Sequence, residues 1–274
     1  MMIRSLRKIP HKIASQMAVD VLSRNMSTPP LQRMEDYFQG KKFIVTGSCA
    51  GMGEKITSRL LDLGAFVYAV VEKEDNAAKA LPNTKQIFCD ISDWEDTYKK
   101  MIDIGPVHGL VNNAGVAVIE PFFDVTEFGW DKTLNVNARA IVRISQAVAK
   151  NMIDAGIKGS IVNISSTIST RAIPDHTTYC ASKGAVNQIT RTMAIELGKH
   201  GIRTNNVNPT VVLTRMGKIA WSDPEKSGPI LRRIPLGRFA VTDDIANAVI
   251  FMLSDYSTMV NGTALVVDGG FMAG

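Results

Sequence analysis

Cysteine is scarce in this chain: Cys49, Cys89 and Cys180 are the only three in 274 residues. That is too few for a disulfide framework, and their spacing is not that of a zinc site, so no metal is expected. None stands beside an obvious activating base, which leaves buried thiols in a reducing compartment as the expectation. Long hydrophobic runs are missing too. No stretch approaches the roughly eighteen apolar residues of a membrane span. Internal repeats, low-complexity tracts and dividing linkers are absent from residues 35–274, which therefore read as one domain. What remains is the composition of an ordinary globular protein, 45% hydrophobic and 21% charged.

Acid is lacking in one place. Residues 1–33 hold Arg4, Arg7, Lys8, Lys12, Arg24 and Arg33 against Asp20 alone, a local excess equal to the formal net charge of +5. The remainder balances, so the chain has no basic surface of the kind that grips phosphates, and no nucleic-acid partner is expected. Within that segment Ile3, Leu6, Ile9, Ile13 and Met17 recur at roughly helical spacing between the basic residues. An Arg-rich, amphipathic, nearly acid-free start is the pattern of a mitochondrial transit peptide. Residues 1–34 are accordingly read as a basic N-terminal extension that directs the chain to the mitochondrion. The alternative is a disordered tail on a cytoplasmic protein, with Met26 or Met34 as further start sites.

From Lys41 onward, short apolar runs alternate with helical patterns. Residues 43–46, 66–71, 86–89, 110–111, 160–164, 204–207 and 264–267 read as strands. This rhythm predicts an α/β fold, a single-domain Rossmann-type doubly wound parallel sheet with helices on both faces. The first strand-to-helix turn carries Thr46-Gly47-Ser48-Cys49-Ala50-Gly51-Met52-Gly53. Glycines there let the backbone approach a pyrophosphate, and a helix N-terminus supplies aligned N–H donors. Gly47, Ser48, Gly51, Met52 and Gly53 are therefore candidate cofactor contacts, with tight packing as the bland alternative.

Tyr179 and Lys183 stand four residues apart, with Ser166 thirteen residues before the tyrosine. On a helix that spacing puts phenol and ammonium on one face, a turn apart. A phenol, with an ordinary pKa of about 10, is a poor acid or base at neutral pH, and a fixed positive charge beside it favours phenolate. The pair suits proton transfer, and the serine hydroxyl can bond the oxygen concerned.

Taken in order, Thr-Gly-x-x-x-Gly-x-Gly, Asn112-Asn113-Ala114-Gly115, Ser166 and Tyr179-x-x-x-Lys183 resemble the short-chain dehydrogenase/reductase family over residues 35–274. Asn137 matches the family's fourth catalytic residue. The resemblance implies an NAD(P)H-dependent oxidoreductase whose catalytic set is Asn137, Ser166, Tyr179 and Lys183. Tyr179 would donate a proton, Ser166 would hydrogen-bond the substrate oxygen, and Lys183 would lower the tyrosine pKa and hold the nicotinamide ribose. Asn137 would bind a water leading to Lys183. Asn113, Ala114 and Gly115 would lie near the adenine-side ribose, Asp90 near the adenine, and Pro209, Thr210 and Val212 by the carboxamide. Asn112 and Asn113 could instead satisfy turn backbone, and Asp90 could cap a helix near Asp93.

Residues 208–212, 221–224 and 233–237 are similar to loops of the dicarbonyl/L-xylulose reductases. That branch implies a small α-dicarbonyl or ketopentose as the small-molecule carbonyl substrate, although Thr167 stands where its sugar reductases carry glutamine. His176 and Trp221 join Ser166 and Tyr179 as substrate-side candidates; a surface histidine and a packing anchor or subunit contact are the alternatives. Other readings are a reductase of another carbonyl, such as a 3-oxoacyl thioester, and a nearly inactive dinucleotide-binding scaffold. The branch implies NADPH, bound by a lysine in the glycine turn and an arginine after the second strand. Ala50 and Glu72 occupy those positions here. A carboxylate suits a ribose 2′-hydroxyl rather than a 2′-phosphate, so the residues favour NADH; Val71 stands where NAD-using relatives carry their acid, and Lys73 could swing in. The resemblance also implies a homotetramer, with the small-residue run Ala181, Ala185, Thr190 and Ala194 as a packing face or as core.

Overall fold

Apolar residues alternate along the strands because successive side chains leave opposite faces of a sheet. In the computed structural model, which describes residues 33–73 and 82–274, Phe43 and Val45 enter one core cluster while Ile44 enters another. Val111 and Leu110 divide in the same way, as do Val162 and Ile161. A sheet apolar on both faces needs cover on both, and helices supply it.

The strands are β1 (Lys42–Thr46), β2 (Phe66–Val71), β3 (Thr84–Phe88), β4 (Gly109–Asn112), β5 (Ser160–Ile164), β6 (Arg203–Pro209) and β7 (Ala264–Val267). They form one seven-stranded sheet in the order β3-β2-β1-β4-β5-β6-β7, and every pairing is parallel. The helices are α1 (Met34–Phe38), α2 (Gly51–Asp62), α3 (Trp94–Ile102), α4 (Glu127–Leu134), α5 (Ala140–Asp154), α6 (Thr177–Gly198), α7 (Arg215–Ala220), α8 (Pro224–Leu231) and α9 (Thr242–Leu253). Helices α1, α2 and α9 pack on the face of Phe43 and Val45. Helices α3, α5 and α6 cover the face of Ile44. Residues 34–274 form one compact unit. The basic extension read in residues 1–34 lies almost wholly outside the described residues.

Three features of this scaffold position a site. The strand order reverses between β1 and β4, and such a switch point opens a crevice beyond the carboxyl ends of the strands. A π-helical turn, Asn135–Arg139, joins α4 to α5 and turns Asn137 inward, where it is fully buried. Finally, α7 and α8 lead into a small separate cluster of Ile234, Phe239 and Phe271. Asp223 caps α8 through the Glu225 N–H, with Pro224 at its first position.

Candidate active site

The glycine turn after β1 is built for close approach. Gly47 has φ +63°, a conformation that disfavours side chains, and its N–H bonds the Val70 carbonyl at 2.9 Å. A Cβ at Gly53 would collide with the Gly47 carbonyl oxygen. Helix α2 begins at Gly51, and its N-cap Ala50 offers no side-chain acceptor. The first N–H groups of Gly51, Met52 and Gly53 are thus left uncapped beside the turn, a donor set that fits a pyrophosphate. Ser48 is buried, and its hydroxyl reaches the Val70 carbonyl at 3.5 Å.

A cleft of about 800 Å³ opens here, lined by Gly47, Val71, Glu72, Asp90, Ala114 and Gly115 and closed on the far side by Glu127, Phe128, Asp131 and Lys132. Glu72 is exposed at its lip. Asp90 also lines it, accepting from the Ser92 N–H at 2.9 Å and the Ser92 hydroxyl at 2.7 Å. The cap of α3 is Asp93, not Asp90. Asn113 satisfies turn backbone, the alternative reading of this residue. Its amide donates to the carbonyls of Thr46 and Gly47 at 3.0 and 3.1 Å, so the side chain staples the glycine turn from behind. Thr46 completes that staple, its hydroxyl accepting from the N–H groups of Asn113 and Ala114 at 3.0 Å each. Asn112 is buried deeper, donating to Ser145 and Asn163. The cysteines are not uniformly buried as expected: Cys89 is, whereas Cys49 and Cys180 are half-buried. Cys49 and Cys89 line the cleft, and burial pushes the Cys89 thiol pKa up.

Gly115 links the cleft to the tyrosine end. A Cβ on it would lie 3.2 Å from Asn137 Oδ1 and 3.7 Å from Lys183 Nζ. Tyr179 sits in the first turn of α6 and Lys183 one turn on, with Nζ 5.5 Å from the phenol ring centre. Lys183 is 4% exposed, and its Nζ donates to the Ile164 carbonyl at 2.8 Å. Burial lowers the Lys183 pKa to about 8. Burial likewise pushes the Tyr179 phenol up to about 12, with the neighbouring Cys180 adding to the rise. Burial thus opposes the lowering that Lys183 was expected to exert. Desolvation of the phenol outweighs an ammonium that is turned toward a carbonyl.

Ser166 follows β5 and caps the turn Thr167–Ser169. Its Oγ accepts from the Ile168 N–H and donates to the Pro209 carbonyl, both at 3.4 Å. Bonds that long hold a hydroxyl lightly. Asn137 Oδ1 accepts from the Val116 N–H at 2.8 Å, while Nδ2 donates to the Val116 carbonyl at 2.8 Å and to Ser182 Oγ at 3.0 Å. An amide oxygen has two lone pairs, so one of them stays open. Ser182, which the motifs do not single out, continues this chain to the Tyr179 carbonyl at 2.8 Å.

The end of β6 brings Pro209 beside Ser166, and Thr210 N–H bonds the Val267 carbonyl at 3.3 Å. Val212 bridges to Ala240, which brings Thr214 over Gly51. His176 precedes α6, with Nδ1 2.6 Å from the Pro174 carbonyl. A carbonyl only accepts, so Nδ1 carries a proton and donates it there. Trp221 packs with the Phe239 cluster, ring centres 6.0 Å apart, which is the packing-anchor alternative. The small-residue run on α6 splits. Ala181 and Thr190 are nine residues apart, two and a half turns, and so face opposite ways. Thr190 and Ala194 are buried, while Ala185 lines an outer groove with Ile189.

The sheet order, the uncapped glycine turn and the Tyr179–Lys183–Ser166 end define a Rossmann-type NAD(P)-binding oxidoreductase. A family model described as enoyl-(acyl carrier protein) reductase matches residues 47–272. The chain is 44% identical over 243 residues to L-xylulose reductase of Homo sapiens, covering 88% of this chain and 100% of that one. It is 44% identical over 238 residues to D-erythrulose reductase of Gallus gallus, covering 86% and 97%. Among solved structures, gluconate 5-dehydrogenase from Burkholderia cenocepacia J2315, in complex with NADP and tartrate, superposes with TM-score 0.83 at 29% identity, covering 88% and 99%. 4-Hydroxyisoleucine dehydrogenase complexed with NADH gives 0.82 at 28% identity, covering 86% and 100%. The chain belongs to the short-chain dehydrogenase/reductase family and interconverts carbonyl and alcohol groups with a nicotinamide cofactor. Among the described residues no helix is long and apolar enough to cross a membrane.

Proposed function

We propose that the chain reduces small α-dicarbonyls or short ketoses, L-xylulose among them, to alcohols, with Tyr179 as proton donor. The observation that carries this reading is that Lys183, one turn after Tyr179 and 5.5 Å from its ring, bonds the end of β5, from which Ser166 reaches the end of β6. The nicotinamide, when bound, supplies hydride to the carbonyl carbon. Tyr179, protonated at neutral pH, delivers its proton to the carbonyl oxygen. Ser166 Oγ turns from the Pro209 carbonyl to hydrogen-bond that same oxygen. Lys183 holds the nicotinamide ribose, and Asn137 fixes the Val116 backbone and orders a water toward Lys183. His176 Nε2 hydrogen-bonds a substrate hydroxyl. Gly47, Ser48, Gly51, Met52 and Gly53 hold the pyrophosphate, Ala114 and Gly115 the ribose side, and Pro209, Thr210 and Val212 the carboxamide. Spectrophotometric turnover with diacetyl, L-xylulose and acetoacetyl thioester, compared in one assay, tests the substrate class. Preference for the thioester would favour the second reading, which the description of the matched family model supports.

For the cofactor we propose NADH. Glu72, Asp90, Glu127 and Asp131 line the nucleotide cleft, and Lys132 is the cation among the described lining residues. That field disfavours the extra charge of a 2′-phosphate. The carbonyl reductase 2 of Sus scrofa, 41% identical over 243 residues, carries NADPH in its name, so comparing kcat/KM for the two cofactors is the decisive assay. Mitochondrial import through residues 1–34 is the compartment proposed, tested by fractionation with and without that segment. Self-association through the groove between α5 and α6, lined by Val142, Ala149, Ala185, Ile189 and Met193, is proposed for a homotetramer. Sedimentation of the purified chain tests it.

A further inference from the structure

We propose that Ser169, clamped by Asn187 and Asn208, is a positioning residue that sets where Ser166 presents its hydroxyl to substrate. The inference rests on the role given to Ser166 above. Asn187 lies on α6 eight residues after Tyr179 and four after Lys183, and so on their face of the helix. It is buried, and its Nδ2 donates to Ser169 Oγ at 2.8 Å. Asn208, near the end of β6, donates to the same oxygen at 3.0 Å. With both donors on its lone pairs, Ser169 has its one proton directed at the main-chain carbonyl of Ser166, 2.6 Å away. A hydroxyl has one proton and two lone pairs, so the full hydrogen-bonding capacity of Ser169 is used and its direction is fixed.

Three elements that must keep register for the reaction are thereby tied at one atom. Helix α6 carries Tyr179 and Lys183; the turn Thr167–Ser169 is capped by Ser166; and the residue after Asn208, Pro209, accepts from Ser166 Oγ. The clamp is anchored from behind. Asn206 donates to Asn187 Oδ1 at 2.8 Å and accepts from Thr190 at 2.5 Å. Asn163 donates to Thr190 and accepts from Asn112, each at 2.8 Å. This buried line crosses β4, β5 and β6 beneath α6 and ends at Ser169. The Ser166 hydroxyl itself has only two 3.4 Å bonds. Its placement is therefore governed by its main chain, which Ser169 holds.

The test is Ser169→Ala, assayed with the better of diacetyl and L-xylulose. The expected result is a fall in kcat of about 10- to 100-fold, with KM and cofactor Kd within about twofold. Introduced into a Ser166→Ala background, it should cause no further loss, because the two act on one hydroxyl. A loss in Ser166→Ala enzyme with Ser169→Ala silent, or full additivity of the two, would overturn the proposal alone. Undiminished kcat in Ser166→Ala would overturn the assignment of Ser166, and the proposal with it. Should Ser169→Ala fold poorly, Asn187→Ala, which removes one of the two donors aiming the Ser169 hydroxyl, is read with the same Ser166→Ala cross and a smaller expected fall in kcat.

Discussion

Lys183 donates its ammonium to the main-chain carbonyl of Ile164 at 2.8 Å, which ties the tyrosine-bearing helix to the end of the fifth strand. The group is buried, and burial holds its pKa at about 8 against an ordinary 10.5. Between those values the unfolded chain carries a proton that the folded one lacks, so stability rises with pH across that window and the cost of the buried charge is full below it. The contribution has an upper bound of about 1.4 kcal/mol per pH unit. Thermal unfolding without added cofactor, followed from about pH 8 to about pH 10, should therefore show a steeper rise in Tm for the wild type than for Lys183→Met. Equal slopes would contradict the assignment.

Glu72 stands at the lip of the nucleotide cleft, and replacing it with a cation reverses the local field. In Glu72→Arg, kcat/KM with NADPH should rise and that with NADH should fall, shifting their ratio by about tenfold or more. An unchanged ratio would mean that Glu72 does not face the ribose.

Gly53 has no room for a side chain against the Gly47 carbonyl. Gly53→Ala should displace the turn and destabilise the fold by about 1–3 kcal/mol. Cofactor binding, read by calorimetry, should weaken by about tenfold or more, because a displaced turn loses its approach to the pyrophosphate. Unchanged Kd would remove the turn from the binding site.

Asn137 satisfies both the N–H and the carbonyl of Val116. Asn137→Leu leaves two backbone groups without partners in the half-buried loop after β4, at a cost of about 1–3 kcal/mol each where water cannot reach them. Urea unfolding should report a lower midpoint, and kcat should fall with it, since Ser182 and the Gly115–Val116 backbone lose their anchor. A variant as stable and active as wild type would contradict this role.

The sheet was legible where apolar residues dominate a strand, as at residues 66–71 and, around Asn163, at 160–164. It was less legible at β4, which reaches beyond Leu110 and Val111 to Gly109 and Asn112. Those residue types are depleted in strands. Gly109 is there because a Cβ would strike the Phe43 ring, and Asn112 because Asn163 accepts its amide across the sheet. Tyr179 and Lys183 stood out by helical spacing, and Ser166 joined them through the family resemblance. The Asn187–Ser169 clamp was not legible, because it joins residues whose separation in the chain carries no period. The sign of the tyrosine pKa shift also escaped the sequence. It depends on how deeply the phenol is buried, which no spacing encodes.

The central claim is that Tyr179 gives the proton, and Tyr179→Phe tests it most directly, because it removes one oxygen and keeps the ring. Turnover of diacetyl or L-xylulose with the preferred cofactor should fall about 10²- to 10⁴-fold. Cofactor Kd, measured alongside by fluorescence, should stay within about twofold, since the ring still shapes the site. Wild-type turnover in that variant would contradict the account.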